Sequence, residues 1–467
     1  MARGKKAAKA LTPEERLEQA LVPVEEQPYP IPENWCWVTI GAIASVKGGK
    51  RIPKGNKLVE YKTDHPYIRV TDFDNRSIAT EQVKYIDEET FKLIRNYTIS
   101  TQDVYISIAG TIGKVGIIPD DLDGANLTEN AAKITNIRGV EKNFLLWLLE
   151  SEVAQSQMRD ATISTTQPKL ALFRIENVKF PLSPLTEQQR IVSRIESLFS
   201  KLDEAKEKAQ AVVDGFELRK SAILHKAFTG ELTEKWRKEH GVGLDSWAEQ
   251  KLKDTTIQII DGDRGTSYPK KQDFTSNGYC IFLNAKNVTK VGFKFEQLEF
   301  ISKEKDEELR SGKLTRGDIV LTTRGTIGNV AIYDSNVSYE HLRINSGMVI
   351  FRNGIEFYKS YIVWLFQSRD ISSQIEKLQT GSAQPQLPIK VIKELLLPVP
   401  SVAEQVEIVR LLDFFIYKEQ QAKAAAESVL SQIDTMKKAI LARAFRGELG
   451  TNDPAEEWAG ELVIKMI

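Results

Sequence analysis

The residues that could do chemistry are few, and their spacing argues against catalysis. The segment DHPY at 64–67 faintly resembles the base-holding D/N-P-P-Y/F/W box of adenine methyltransferases, but it lacks one of the two prolines and has His65 in that place. GTIGKVG at 110–116 spaces its glycines as G-x-x-G-x-x-G, whereas a dinucleotide loop needs G-x-G-x-x-G. Cys36, Cys280 and four histidines show no zinc-ligand spacing. The sequence therefore predicts no catalytic or metal site in this chain.

Basic loops are the strongest binding feature. The segment KGGKRIPKGNK at 47–57 holds five cationic residues and no acidic one, and its glycines and proline predict a loop. A basic loop is expected to contact phosphates, and a solvated charged loop is the plain alternative. The corresponding DGDRGTSYPKK at 261–271 mixes two aspartates with its cations. From these two loops we predict DNA contacts by Lys47, Lys50, Arg51, Lys54, Arg264 and Ser267.

Other polar segments carry groups that can bond to base edges. RVTDFDN at 69–75 and NAKNVTK at 284–290 follow an early strand of each half, and they contribute the candidates Arg69, Asp72, Asn75, Asn284, Lys286 and Asn287. The loops STTQPK (164–169) and TGSAQPQ (380–386) either contact DNA or only make the turn to the next strand. These loops and the surroundings of the two GTIG motifs contribute Lys114, Thr166, Gln167, Arg324, Ser382 and Gln384.

The elements that must position these residues occur twice. AILHKAFTGEL at 222–232 returns 217 residues later as AILARAFRGEL, and the segment 167–192 returns at the same offset. DVYISIAGTIGKVGII at 103–118 returns after 215 residues as DIVLTTRGTIGNVAIY. Collinear matches whose offset drifts slowly are typical of an ancient duplication with diverged loops.

Each half is predicted to hold a mixed strand and helix part followed by a long helix. Short β-branched runs such as PYIRV, DVYISIA and YCIFLNA predict strands. In the second part, apolar residues step by three and four, which predicts a heptad seam and a helix of about 43 residues over 186–228. The two copies should pair as an antiparallel coiled coil. The predicted seams are Ile191, Ile195, Leu198, Leu202, Ala205, Ala209, Val212 and Phe216, and Ile408, Leu412, Phe415, Ala422, Ala426, Val429 and Ile433, with Glu419 as a break.

Composition narrows the class of protein. At 467 residues the chain should form two or more domains, and its 41% hydrophobic and 27% charged residues are ordinary for a globular protein. The net charge of zero neither suggests nor excludes a nucleic-acid partner. We expect no membrane span, no secretory signal and a reducing, cytoplasmic location, because apolar runs are short and cysteines few.

Two strand-rich parts alternating with two similar long helices resemble the specificity subunit of type I restriction–modification enzymes. The motifs that carry the resemblance are GTIG in both halves, the helix entries FPLSPLTEQQRIV and LPVPSVAEQVEIV, and the paired phrases of 222–232 and 439–449. The resemblance covers roughly 30–449. It implies an α+β fold with two α/β target-recognition domains, separated by two long helices in an antiparallel coiled coil.

The resemblance also implies a function without catalysis. Two recognition domains would read the halves of a bipartite, asymmetric site in double-stranded DNA. Two modification subunits would supply adenine methylation with S-adenosylmethionine, and restriction subunits would add ATP- and Mg-dependent translocation and cleavage. A type IIG-like enzyme and a non-DNA coiled-coil adaptor are the alternatives. The predicted segments are an extension 1–29, domain 30–182, helical spacer 183–237, domain 243–397, helical spacer 398–449 and a tail 450–467.

Overall fold

The structure, a computed structural model, describes residues 12–162, 168–378 and 385–466. The chain divides into two compact units. Unit 1 comprises Met1–Lys208 and Val429–Ile467, and unit 2 comprises Ala209–Ser428. The second unit is therefore inserted within the sequence of the first.

The described residues form twenty-two short strands. They are β1 Cys36–Thr39, β2 Ser45–Gly48, β3 Pro66–Ile68, β4 Phe73–Asp74, β5 Ser77–Ile78, β6 Lys84–Tyr85, β7 Val104–Ser107, β8 Val115–Gly116, β9 Asn126–Leu127, β10 Ala131–Thr135, β11 Lys179–Leu182, β12 Ala248–Lys251, β13 Ile257–Asp261, β14 Cys280–Leu283, β15 Val288–Thr289, β16 Gly292–Phe293, β17 Phe300–Ile301, β18 Ile319–Thr322, β19 Val330–Ile332, β20 Leu342–Ile344, β21 Met348–Asn353 and β22 Leu396–Val399.

The described part of the chain also forms fifteen α-helices. They are α1 Pro13–Ala20, α2 Ile40–Ile43, α3 Glu88–Ile94, α4 Lys142–Glu150, α5 Glu152–Asp160, α6 Leu172–Glu176, α7 Leu185–Asp214, α8 Phe216–Phe228, α9 Glu234–His240, α10 Lys303–Glu308, α11 Lys359–Phe366, α12 Arg369–Leu378, α13 Ile389–Ile392, α14 Val402–Ala444 and α15 Gly460–Met466.

The sheets of the two units have the same topology. Unit 1 holds a four-stranded sheet in the order β2-β10-β7-β8, and unit 2 holds β13-β21-β18-β19. Beside it, the order β6-β3-β9 in unit 1 matches β17-β14-β20 in unit 2, and in both the last two strands run parallel. The predicted duplication and α+β fold are confirmed. The central strands β7 and β18 are fully buried, which explains their nearly continuous apolar sequences.

The core of each unit includes the end of a long helix. In unit 1, Phe445, the residue directly after α14, packs edge-on against Phe144 of α4, with ring centroids 5.3 Å apart. In unit 2, Phe228 of α8 packs in the same way against Tyr361 of α11 at 5.4 Å. Positions 228 and 445 belong to the repeated phrases of 222–232 and 439–449. The phrase at 222–232 belongs to the first copy of the repeat but packs into the core of unit 2. The phrase at 439–449 belongs to the second copy but packs into the core of unit 1.

Within each unit, the long helices pair in opposite directions. In unit 2, Lys423 lies 4.9 Å from the ring of Phe216, and Glu419 bonds to Arg219 at 2.7 Å. Residue numbers therefore fall along α14 in the direction in which they rise along α8, and the two helices are antiparallel. In unit 1, Lys437 of α14 bonds to Asp203 of α7 at 2.6 Å. These contacts confirm the antiparallel coiled coil.

Two details of the predicted helices are wrong. The first helix is not continuous over 186–228, because α7 ends at Asp214 and α8 begins after Gly215. In α14, Phe415, Ala422 and Val429 are exposed and Ile416 is buried, so the predicted seam is wrong at those three positions and Ile416 lies in it. The seam of α7 and α8 is confirmed at its buried positions Ile191, Ile195, Ala209 and Phe216.

Candidate nucleic-acid interface

Four loops of unit 1 meet at one edge of its four-stranded sheet. They follow β2 and β7, precede β10, and lead into α6. Backbone hydrogen bonds tie them together: Lys50 donates to the carbonyl of Leu127 at 2.8 Å, Ile108 to that of Asn130 at 2.8 Å, and Leu170 to that of Ile108 at 2.9 Å. We call this surface the loop edge of unit 1 and define it as residues 49–51, 108–110, 128–130 and 168–170.

Unit 2 builds the same surface from the equivalent loops. The backbone N–H of Arg324 donates to Gly347 at 3.2 Å, and that of Leu387 donates to Thr323 at 3.0 Å. The guanidinium of Arg264 donates to the carbonyl of Ser346 at 3.2 Å. The loop edge of unit 2 is defined as residues 262–264, 323–325, 345–347 and 385–387.

A glycine fixes the close approach of two loops in each edge. A Cβ on Gly49 would lie 2.1 Å from the carbonyl oxygen of Thr128, and one on Gly262 would lie 2.1 Å from that of Asn345. Any other residue would collide with backbone at these two positions. The glycines also establish that the loop of 128–130 in unit 1 corresponds to that of 345–347 in unit 2.

The predicted basic loop lies partly on the loop edge. Lys50 is exposed, with its ammonium 5.4 Å from the ring of Tyr97. Lys47 is exposed on β2, and Lys54 is exposed on the continuing loop. Arg51 Nε donates to Glu129 Oε1 at 2.5 Å, and the Arg51 side chain is 79% exposed. Cations thus line this side of unit 1.

The segments predicted to read bases fold into similar turns in both units. Arg69 donates through Nη2 and Nε to Asp72 at 2.6 and 3.1 Å, and Asp72 is fully buried. In unit 2, Asn287 is buried and accepts the backbone N–H of Asn284 at 3.0 Å, while the side chain of Asn284 accepts that of Lys286 at 2.9 Å. The polar atoms of Asp72 and Asn287 are therefore committed to the turn itself.

Two candidates of unit 1 lie elsewhere. Asn75 and Lys114 line a cavity of about 410 Å³ together with Trp147 of α4, Phe199 of α7 and Lys437 of α14. The structure therefore places them against the paired helices and not on the loop edge. The prediction that they contact DNA stays a prediction.

The remaining candidates of unit 2 flank its loop edge or lie in it. Arg264 is exposed and also bonds to Asp261, with 3.1 Å between Nε and Oδ2. Arg324 is exposed, and its backbone pairs with Gln386. Ser267 is half-buried, and its carbonyl accepts the ammonium of Lys305 at 3.5 Å. The structure thus brings Arg264 and Arg324 to one surface.

Four candidates lie outside the described residues: Thr166, Gln167, Ser382 and Gln384. The described residues beside them belong to the loop edges, since Lys169 pairs with Ala109. Sequence reasoning missed the loop that includes Glu129 in unit 1 and Ser346 in unit 2. The constant offset of 217 aligns these two positions, but nothing in the sequence indicates that they face Arg51 and Arg264.

The two thiols and the described metal-ligating side chains show no sign of a reactive or metal-binding site. Burial raises the pKa of the thiols of Cys36 and Cys280 to about 12, so neither forms a ready nucleophile. Among residues 12–162, 168–378 and 385–466, no three His, Cys, Asp or Glu side chains gather as metal ligands. The helices in these ranges are also too short or too polar to cross a bilayer.

Comparison with known proteins connects this architecture to a family. A family model described as the type I restriction modification DNA specificity domain matches residues 32–213 and again 245–428. The specificity subunit of the type I restriction enzyme EcoBI from Escherichia coli is 23% identical to this chain over 439 residues. The alignment covers 91% of this chain and 88% of that subunit.

Solved structures show the same fold. The crystal structure of an HsdS subunit from Thermoanaerobacter tengcongensis has a TM-score of 0.66 at 20% identity and covers 91% of this chain and 100% of that chain. A structure concerned with complex assembly and conformational transition of the type I R-M system has a TM-score of 0.62 at 19% identity, with coverages of 90% and 100%. Because the family model matches most of the sequence in two successive copies, the chain belongs to the type I restriction–modification DNA specificity family and is a specificity subunit with two recognition domains.

Proposed function

We propose that each loop edge contacts one half of a bipartite, asymmetric site in double-stranded DNA. The proposal rests on one observation. The loop edges of the two units have equivalent backbone loops, but these loops carry different side chains. Unit 1 presents Lys50 and Arg51, and unit 2 presents Arg264 and Arg324. Different side chains on equivalent loops would read different half-sites, so the whole site would be asymmetric.

The candidate residues divide by role within this proposal. The exposed cations Lys47, Lys50 and Lys54 suit phosphate contacts, which position the protein without reading sequence. Arg324 and Lys286 are exposed and suit base edges. Arg69, Asp72, Asn284 and Asn287 hold the turns from which neighbouring groups would reach DNA.

The proposal includes partners and a division of labour. The recognition domains would span 30–182 and 243–397, and the helical spacers 183–237 and 398–449, with extensions 1–29 and 450–467. The spacers would dock two modification subunits and, through them, restriction subunits. S-adenosylmethionine, ATP and Mg would bind in those partners, so this chain would neither methylate nor cut DNA alone. The complex would work in the cytoplasm.

The alternatives make different predictions. A type IIG-like enzyme would need its own base-holding box and cofactor loop, and the sequence carries neither motif. A coiled-coil adaptor without a DNA partner would not need a strand-rich domain with a cationic loop edge in each half. Binding of the assembled complex to DNA therefore separates the proposal from the adaptor, and methyl transfer by the chain alone would favour the type IIG reading.

The test uses this chain assembled with its modification subunits. Lys50→Ala with Lys54→Ala should weaken binding to all duplexes similarly and reduce the dependence of log affinity on log salt by about one unit per lost contact. Lys84→Ala with Lys92→Ala removes the same number of charges at lysines that pair with Glu60 and Glu88 and are not among the residues that define the loop edge, and is the control.

The measurement is DNA affinity from about 50 to 200 mM salt, a range over which a protein held by several phosphate contacts loses affinity steeply. An unchanged salt dependence in the first variant, or an equal change in the control, would show that this loop does not contact phosphates.

A further inference from the structure

Glu129 is an unexpected residue on the loop edge of unit 1. It follows Thr128 in the loop that faces Gly49, and its side chain is 24% exposed. DNA presents phosphates, so an accessible carboxylate on a DNA-contacting surface repels its ligand unless it has a specific partner there. If the loop edge contacts DNA, as proposed, Glu129 must have a role other than binding a phosphate.

The carboxylate is held in one orientation from two sides. Arg51 Nε donates to Oε1 at 2.5 Å, and Thr128 Oγ1 donates to Oε2 at 3.0 Å. Burial raises the pKa of Glu129. The hydrogen bonds from Arg51, its own backbone and Thr128 together lower that pKa by more, so it lies below the ordinary value for a glutamate. Glu129 is therefore an ionised group that only accepts hydrogen bonds, and these three bonds leave one of its roughly four acceptor positions free.

Unit 2 places an arginine on the equivalent loop, but this arginine pairs with Asp261 of its own loop and contacts the facing loop through a backbone carbonyl. Arg264, which occupies the position of Arg51, reaches the same point of the facing loop and donates to the carbonyl of Ser346 at 3.2 Å. Ser346 stands where unit 1 has Glu129, at the constant offset of 217. Both units therefore keep an arginine next to this position, while the residue at the position changes from a glutamate to a serine. This pattern is expected when the arginine positions its neighbour and the neighbour determines which base is read.

We infer that Glu129 reads a base in the half-site of the first recognition domain by accepting a hydrogen bond from an exocyclic amino group in the major groove, with cytosine N4 as the preferred donor. A glutamate pairs with the cytosine amino group, and cannot bond to the acceptor-only major-groove edge of guanine. Arg51 would hold the carboxylate and turn its exposed remaining donors to a phosphate. Ser346 would read its own position less strictly, because a hydroxyl both donates and accepts.

The test selects binding sites from duplexes with randomised positions, using the chain assembled with its modification subunits. The wild-type complex should enrich one bipartite sequence, which tests the proposed function itself. Glu129→Gln should then change one position of one half-site from cytosine toward adenine, whose N6 and N7 pair with an amide. The preference for cytosine at that position should fall about tenfold to a hundredfold. Glu129→Ser should relax the same position without a new preference.

Glu60→Gln is the matched control, because Glu60 is an exposed carboxylate of the same domain that pairs with Lys84 at 2.6 Å. Thermal unfolding checks that each variant is folded. If the wild-type complex selects no sequence, the proposed function fails. If it selects a site and Glu129→Gln selects the same one, or only binds all duplexes more tightly or more weakly, Glu129 merely holds Arg51 and the inference is overturned. A change in both half-sites would overturn it too.

Discussion

Two buried glutamates at equivalent positions show how one residue type can serve the two units differently. Glu187 near the start of α7 accepts the indole N–H of Trp35 at 2.7 Å, and Glu404 near the start of α14 accepts that of Trp247 at 2.9 Å. Glu404 also pairs with the buried Arg237 at 2.7 Å. In unit 1, the corresponding place is filled by neutral groups of the C-terminal tail, so burial raises the pKa of Glu187.

Stability should therefore depend on pH through Glu187. A carboxyl group whose pKa is raised by folding contributes stability that is fully present below its unfolded pKa, near 4.3, and is lost as pH rises through the raised folded value. The difference in unfolding free energy between the wild type and Glu187→Gln should thus shift in favour of the variant as pH rises from about 4 to neutral. Denaturant unfolding at several pH values measures it.

Glu404→Gln provides the contrast at neutral pH. This substitution leaves Arg237 buried without its charge partner and should cost about 3–5 kcal/mol of stability in unit 2. Hydrogen exchange in β1 and β12 reports the two units separately. An equal loss from both substitutions at neutral pH would contradict the assignment.

At the scale of elements, the division between α7 and α8 has a local cause. The guanidinium of Arg219 donates to the carbonyl of Val212 at 2.7 Å and to Glu419 at 2.7 Å. It passes so close to Gly215 that a Cβ there would lie 2.4 Å from Nη1. At the equivalent positions α14 has Gln432 and Met436, and it continues without interruption for 43 residues.

Gly215 and Arg219 should be energetically coupled. Gly215→Ala in an Arg219→Met background should stabilise by about 1 kcal/mol, the helix preference of alanine over glycine. In the wild-type background the gain should be smaller, because the new Cβ displaces the arginine from both of its partners. A double-mutant cycle on unfolding free energies measures the difference. Strict additivity would mean that the side chain of Arg219 does not require the glycine.

The sequence predicted elements well where their pattern was local and failed where it depended on distant partners. Strands, the duplication and the seam around Ile191 and Ile195 followed from short-range periodicity. Strict steps of four and three predict Phe415 in the seam in place of Ile416, and they make Glu419 a break. The structure shows Glu419 inside the seam, because Arg219 neutralises it. That pairing depends on a residue 200 positions away.

The candidate site was predictable to the same extent. Charge and loop composition located Lys50, Arg51 and Arg324, which the structure gathers on the loop edges. The placement of Lys114 against α14, and of Glu129 beside Arg51, depends on tertiary contacts between segments that are far apart in sequence. Residue type and spacing along the chain contain no such information.

At the scale of the whole molecule, the paired helices should set the distance between half-sites. The bond between Asp203 and Lys437 gives the local register, so positions near Ala205 and Ile433 face each other. Seven residues inserted at both would preserve the heptad seam and add about 10 Å, or about three base pairs. Methylation-site mapping of the assembled variant should show a longer spacer and unchanged half-sites. Insertion at Ala205 alone, which breaks the pairing, is the control.

An unchanged spacer in an active double-insertion variant would show that the helices do not measure this distance. Changed half-sites would show instead that the helices take part in reading bases.

The exchange of the two closing phrases has an evolutionary consequence. Phe228 completes the core that follows it in the chain, and Phe445 completes the core that precedes it by three hundred residues. An ancestor with a single copy could not fill both roles within one molecule. Such a chain would complete its core only in a domain-swapped homodimer, in which each copy packs the end of its long helix into the core of the other copy. Gene duplication would then fuse such a pair into one polypeptide and free the two halves to diverge toward different targets.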